Sequence, residues 1–181
     1  MISLASHITQ KILNYFFLHP EESLYINELS RMLSLDKRNL VKKLRQLERL
    51  GILKSEKRGT LRLYSVDQEF PLYTEYKKIV FKTIGVEERL KKIIKDVPGV
   101  KEAYIYGSYA QDKLDVHSDL DLVVIGNHDI NSLQEKIIVL QREINREINC
   151  VNISEDEIKR RTERKDPFLS GIFKKKNIRL I

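Results

Sequence analysis

Asp119-Leu120-Asp121 opens an apolar run that continues through Leu122, Val123, Val124 and Ile125, and this stretch restricts the fold more than any other part of the chain. Successive side chains of a β-strand point to opposite faces. A strand over Asp119 to Ile125 therefore presents both carboxylates on one side while Leu120 and Leu122 face a core. Two carboxylates held side by side repel unless a cation sits between them. Mg²⁺, or Mn²⁺ in its place, suits that position because Mg²⁺ takes hard oxygen ligands, keeps several waters and pairs with nucleotide phosphates.

The residues upstream fit the same chemistry. Tyr104-Ile105-Tyr106-Gly107-Ser108-Tyr109-Ala110 ends a predicted strand (Val100 to Tyr106) in a glycine turn. Gly107 lets the backbone approach a phosphate closely, and Ser108 opens a short helix whose free N–H groups favour an anion. Asp119, Asp121, Gly107 and Ser108 together make a candidate metal and nucleoside triphosphate site. The pattern then alternates: a long helix over about residues 131–146, a third strand from Ile148 to Ile153, and helices near 155–164 and 167–174. That is an α/β arrangement on a small sheet. Tyr104 and Tyr106 are assigned to core packing rather than to stacking on a base. His117 is read as an exposed loop residue, and Lys174, Lys175 and Lys176 as the solvated end of the last helix.

The first part of the chain has a different character. Apolar residues at Ile8, Ile12, Tyr15 and Phe16 mark a helix that ends before His19-Pro20. A second helix over about residues 26–33 carries Leu29 and Met32 inward. Asp36 is a suitable N-cap for a third helix, in which Leu40, Leu44, Leu47 and Leu50 share one face before Gly51 stops it. Two short strands, Ile52 to Glu56 and Leu61 to Val66, are joined through Lys57-Arg58-Gly59-Thr60. The net charge of the chain is +7, and its distribution is the informative part. Between Asp36 and Arg62 there are ten Lys or Arg against three acids, an excess equal to that of the whole chain. With the leucines packed inward, the basic side chains lie on the outer face of the third helix, the geometry for entering a major groove. Lys37, Arg38, Asn39, Lys42, Arg45 and Gln46 are the candidate groove contacts, and Lys57, Arg58 and Arg62 the candidate phosphate contacts.

The pattern changes near Pro71, which divides the chain into a DNA-binding domain (1–70), a helical linker (71–98) with two helices broken near Gly85, and a third segment (99–181). Residues 1–70 resemble the winged-helix domains of ArsR-like and MarR-like regulators, above all in LSLDKRNLVKKLRQLERLGILKSEKRGTLRLYSV. The passage GSYAQDKLDVHSDLDLVV resembles the signature of minimal nucleotidyltransferases in the DNA polymerase beta superfamily. The expected fold is thus an N-terminal winged helix-turn-helix followed by a nucleotidyltransferase-fold domain, a small mixed sheet flanked by helices.

The second resemblance implies roles for individual residues. Gly107 and Ser108 hold the triphosphate, Asp119 and Asp121 bind metal, and a third carboxylate on the following strand helps activate the acceptor hydroxyl. This chain departs from the pattern twice. Gln111-Asp112 stands where many relatives have Arg-Gly, so one cationic phosphate contact is either absent or supplied by Lys113. The third carboxylate position is assigned to Asn152, whose amide accepts no proton; Glu143 or Glu147 are alternative sources of a carboxylate, each more at home on a solvated helix face.

Cys150 is the only cysteine, so an internal disulfide and a multi-thiolate zinc site are excluded. No apolar run approaches the ~20 residues of a membrane helix, and the N-terminus does not read as a signal peptide. A cytoplasmic protein is expected. Three functions compete: a DNA-binding transcriptional regulator with a Mg²⁺ and nucleoside triphosphate domain, working on double-stranded DNA as a homodimer; a nucleotidyltransferase that modifies a hydroxyl on a small molecule or on a protein acceptor such as a toxin; and a catalytically inactive protein-interaction module.

Overall fold

The computed structural model describes residues 4–114 and 118–181, and the chain forms two compact units, Met1–Val86 and Glu87–Ile181. The segment 71–98, expected as a linker, is therefore divided between them.

The first unit opens with α1 (His7–Leu18), whose N-cap Ser6 accepts from the Thr9 backbone N–H. The short strand β1 (Leu24–Tyr25) follows, then α2 (Ile26–Met32) and α3 (Lys37–Arg49). Asp36 caps α3 as its sequence requires, its carboxylate accepting from the Asn39 backbone N–H at 3.0 Å. β2 (Leu53–Arg58) and β3 (Leu61–Val66) form an antiparallel hairpin, and β1 adds to its other edge in the order β1-β3-β2. Ile12, Phe16, Leu29, Leu40 and Leu44 are fully buried between the helices and this sheet. α4 (Tyr73–Thr83) completes the unit; Tyr73 meets Phe17 of α1 edge-on at 5.6 Å. This is a winged helix-turn-helix.

Three local expectations change. β2 runs two residues further than Glu56, so Lys57 and Arg58 belong to the wing strand, paired with Arg62 and Leu61, and the turn is Gly59-Thr60 alone. Met32 is 44 % exposed rather than turned inward, because Leu29 alone fills the inner face of the short α2. β1 has too few residues to show an alternating pattern and exists only because β3 offers it an edge.

α5 (Val86–Lys95) carries the chain into the second unit, which continues with β4 (Val100–Tyr106), α6 (Gly107–Ala110), β5 (Leu120–Gly126), α7 (Ile130–Ile144), β6 (Ile148–Ile153), α8 (Glu155–Glu163), α9 (Pro167–Lys174) and β7 (Ile178–Arg179). The sheet order is β6-β5-β4-β7. β5 and β6 are parallel, as a helical crossover through α7 permits, and the other pairs are antiparallel. One face of the sheet carries Tyr104, Val123, Ile125 and Ile153, packed on Leu169 and Ile172 of α9. Leu120, Leu122 and Val124, wholly buried, alternate onto the opposite face. The outcome is a small mixed sheet flanked by helices, where the strand and helix pattern implied a small α/β sheet and the second resemblance a mixed one.

Candidate functional site

β5 begins at Leu120 rather than Asp119, so alternation along the strand sets Asp121, while Asp119 lies one residue before it. Leu120 and Leu122 are wholly buried, and Asp119 and Asp121 are both half-buried. The register across the sheet then decides their neighbours. Tyr106 of β4 lies opposite Asp121, and Asn149 of β6 lies opposite Asp121 on the other side, so Tyr106, Asp121 and Asn149 form one transverse row. The Asn149 side-chain amide donates to Asp119 Oδ2 at 3.0 Å. Burial pushes the Asp121 carboxyl above the ordinary carboxylate value; a hydrogen bond from Asn149 opposes this and the charge of Asp119 adds to it.

This register corrects the assignment of Asn152. Asn152 pairs with Val124, which places it on the face away from Asp121. Its Oδ1 lies 2.8 Å from His128 Nε2 and accepts from the Cys150 thiol at 3.8 Å. The third-strand residue beside the aspartates is Asn149. Local sequence carries no signal for this choice, because the pairing register between β5 and β6, not the start of β6, sets which residue faces Asp121. Glu143 is likewise turned elsewhere, paired with Arg89, and Glu147 meets the site through its backbone carbonyl, which accepts from Leu120 N–H at 3.0 Å. Among the described residues no group of three His, Cys, Asp or Glu side chains is placed to hold a metal. The two carboxylates, with the Asn149 amide donating to Asp119, still fit a hard divalent cation, because the remaining positions of Mg²⁺ are ordinarily filled by water and phosphate.

Gly107 is demanded twice over. Its φ is +72°, and a Cβ there would stand 2.0 Å from Asp121 Oδ2, so the carboxylate rests directly on the glycine turn. Ser108 follows in α6, and its carbonyl accepts from Lys113 N–H at 2.9 Å. Lys113 is exposed beside this turn. Asp112, one of the residues that replaces the Arg-Gly pattern, is neutralised by Lys176 at 2.5 Å. Lys176 is thus drawn to the glycine turn, a placement no local pattern announced, because the β4–β7 pairing brings the C-terminal segment alongside.

Arg146 is a second residue that sequence reasoning passed over. It is 7 % exposed and its guanidinium donates to the carbonyl of Ser118, the residue before Asp119. Residues 118, 119 and 120 are therefore each tied to the segment 146–149. His117, in the expected signature, lies outside the described residues.

In the first unit, Lys37, Arg38, Asn39, Lys42, Arg45 and Gln46 are all exposed on α3, and Lys57 and Arg58 on the wing. Arg62 is half-buried and pairs with Glu48 of α3 at 3.5 Å, while Arg58 pairs with Glu56. Lys37, Arg45, Arg49 and Arg62 line a groove of about 620 Å³ with Tyr25 and Tyr64. Glu48 lines the same groove, so cations of α3 and Arg62 of the wing meet there around one acid. No helix among the described residues is long and apolar enough to cross a membrane.

A solved toxin–antitoxin complex with AMP-PNP is 19 % identical over 52 % of this chain and 72 % of that one, with a TM-score of 0.39. Reduced HlyU from Vibrio cholerae is 25 % identical over 42 % of this chain and 73 % of its own, with a TM-score of 0.34. The adhesin competence repressor AdcR from Streptococcus pyogenes is 16 % identical over 44 % and 60 %, with a TM-score of 0.33. No curated protein matches. The family model described as polymerase beta, nucleotidyltransferase matches residues 88–178, the whole stretch that holds the glycine turn, both aspartates and Asn149. The chain belongs to the polymerase beta nucleotidyltransferase family.

Proposed function

We propose that this protein is a DNA-binding transcriptional regulator whose second unit binds Mg²⁺ or Mn²⁺ with a nucleoside triphosphate and uses it as an effector, transferring nucleotide at most slowly. The observation that carries this reading is Asn149. In this reading Asp119 and Asp121 hold the cation, and Gly107, Ser108 and Lys113 receive the phosphates. When bound, the cation supplies charge neutralisation and makes an attacking oxygen more nucleophilic. Asn149 orients Asp119, yet as an amide it lends no negative charge and accepts no proton, so binding is kept while turnover is poor. The exposed cations of α3 and the wing serve double-stranded DNA, with Lys37, Arg38, Asn39, Lys42, Arg45 and Gln46 in the groove and Lys57, Arg58 and Arg62 toward phosphates. Homodimerisation on paired half-sites and a cytoplasmic location belong to the same reading.

The second reading is a true nucleotidyltransferase acting on a small-molecule hydroxyl or on a protein such as a toxin. Family membership and the intact Gly107, Asp119 and Asp121 favour it. One experiment separates the two. Label transfer from an α-phosphate-labelled triphosphate to an extract of the source cells, with Mg²⁺ or Mn²⁺, is compared among wild type, Asp119→Asn/Asp121→Asn and Asn149→Asp. The regulator reading expects nucleotide binding without transfer by wild type and a gain of transfer in Asn149→Asp. Aspartate-dependent labelling of a discrete acceptor by wild type would overturn it in favour of the enzyme.

A further inference from the structure

The row that carries the aspartates is bounded by aromatic rings. Tyr106, Asp121 and Asn149 stand side by side on one face, and the next row on that face, Tyr104, Val123 and Val151, is packed beneath Leu169 and Ile172. α9 therefore begins over the edge of the polar row. Its second residue, Phe168, meets the Tyr106 ring edge-on, with centroids 5.8 Å apart at 90°. Farther along α9, Phe173 meets Tyr104 in the same way at 5.3 Å. Phe168 packs on Tyr106 and still leaves 36 % of its surface exposed, while Tyr106 is only half-buried.

A large ring left partly in water next to the row that carries Asp121 has a natural occupant. A nucleoside triphosphate held through its phosphates carries a flat base one ribose beyond the α-phosphate, and bases stack on aromatic faces. We propose that the Tyr106–Phe168 ledge is the subsite for the base of the nucleoside triphosphate. This inference rests on the metal and triphosphate reading above. Because every base has a π face, the ledge contributes affinity with little preference among bases.

The test compares two probes on the full chain with Mn²⁺: ATP, which has a base, and inorganic tripolyphosphate, which has none. Wild type should bind ATP more tightly than tripolyphosphate. Phe168→Leu, which keeps apolar volume for α9 but removes the π face, should weaken ATP about tenfold and leave tripolyphosphate affinity as in wild type. Phe168→Trp should retain or tighten ATP binding, which a purely structural role for the ring does not predict. Equal wild-type affinity for the two probes, or an equal loss of both in Phe168→Leu, overturns the ledge while leaving the triphosphate reading standing. Absence of any binding that depends on Asp119 and Asp121 refutes the triphosphate reading, and the ledge with it.

Discussion

Replacing Gly107 by alanine isolates the contact on which the candidate site is built. Two costs arise. The first is conformational: at φ +72° an L-residue carries a left-handed backbone penalty of roughly 1–2 kcal/mol. The second is steric: a Cβ would lie 2.0 Å from Asp121 Oδ2, 3.0 Å from its Cγ and 3.4 Å from its Cβ, so the whole carboxylate must swing away. Forcing a side chain off its rotamer costs about 1 kcal/mol. Gly59 in the wing provides the control, since its φ is +63° with nothing within 4 Å of an added Cβ; Gly59→Ala should show the conformational cost alone. Gly107→Ala should therefore destabilise its unit by about 2–3 kcal/mol, and the excess over Gly59→Ala should vanish when Asp121→Ala clears the space. Hydrogen exchange read by mass spectrometry reports the two units separately, which a single melting curve of a two-unit chain does not. Mn²⁺ binding, measured in parallel, should be lost in Gly107→Ala. If Gly107→Ala costs as much in the Asp121→Ala background as in wild type, the carboxylate does not rest on the glycine and the reasoning fails.

Asp121→Asn should stabilise the metal-free protein at pH 7. A carboxyl whose pKa is raised by burial destabilises the fold wherever it is charged, and the penalty disappears as pH falls below its unfolded value; denaturation in EDTA should show the gain at pH 7 and none at pH 3. Arg38→Ala and Lys42→Ala should each weaken DNA binding. Where the lost contact is to a phosphate, the slope of log affinity against log salt should fall by about one in a titration from low to high salt; an unchanged affinity in both would remove α3 from the groove. Cys150, whose thiol is pushed up to about 12 by burial, should react with iodoacetamide far more slowly than free cysteine at pH 8, since the thiolate is the nucleophile; mass spectrometry of the intact chain checks this, and a rate equal to that of free cysteine contradicts it.

Most elements were legible because local patterns sufficed for them. β4 and β6, and α3 to within a residue, lie where periodicity and the Asp36 cap place them. The residues that escaped share one cause. β1 and β7 are two residues long and exist only as additions to β3 and β4. Lys176 reaches Asp112 across 64 positions of sequence, and Arg146 reaches Ser118 across 28. None of these pairings leaves a period or a motif behind.

Local pattern alone places two carboxylates at the head of a buried strand, a glycine turn before them, and the chain's excess of positive charge on one helix and its hairpin. These follow from the two-residue repeat of a strand, the 3.6-residue repeat of a helix and the conformations open to glycine. Which residue completes the row depends on the strand pairing. Asn149 and Asn152 are both asparagines of one strand, but a shift of one residue in register exchanges its faces, and the parallel pairing of β5 with β6 puts Asn149 beside the aspartates and Asn152 beside His128.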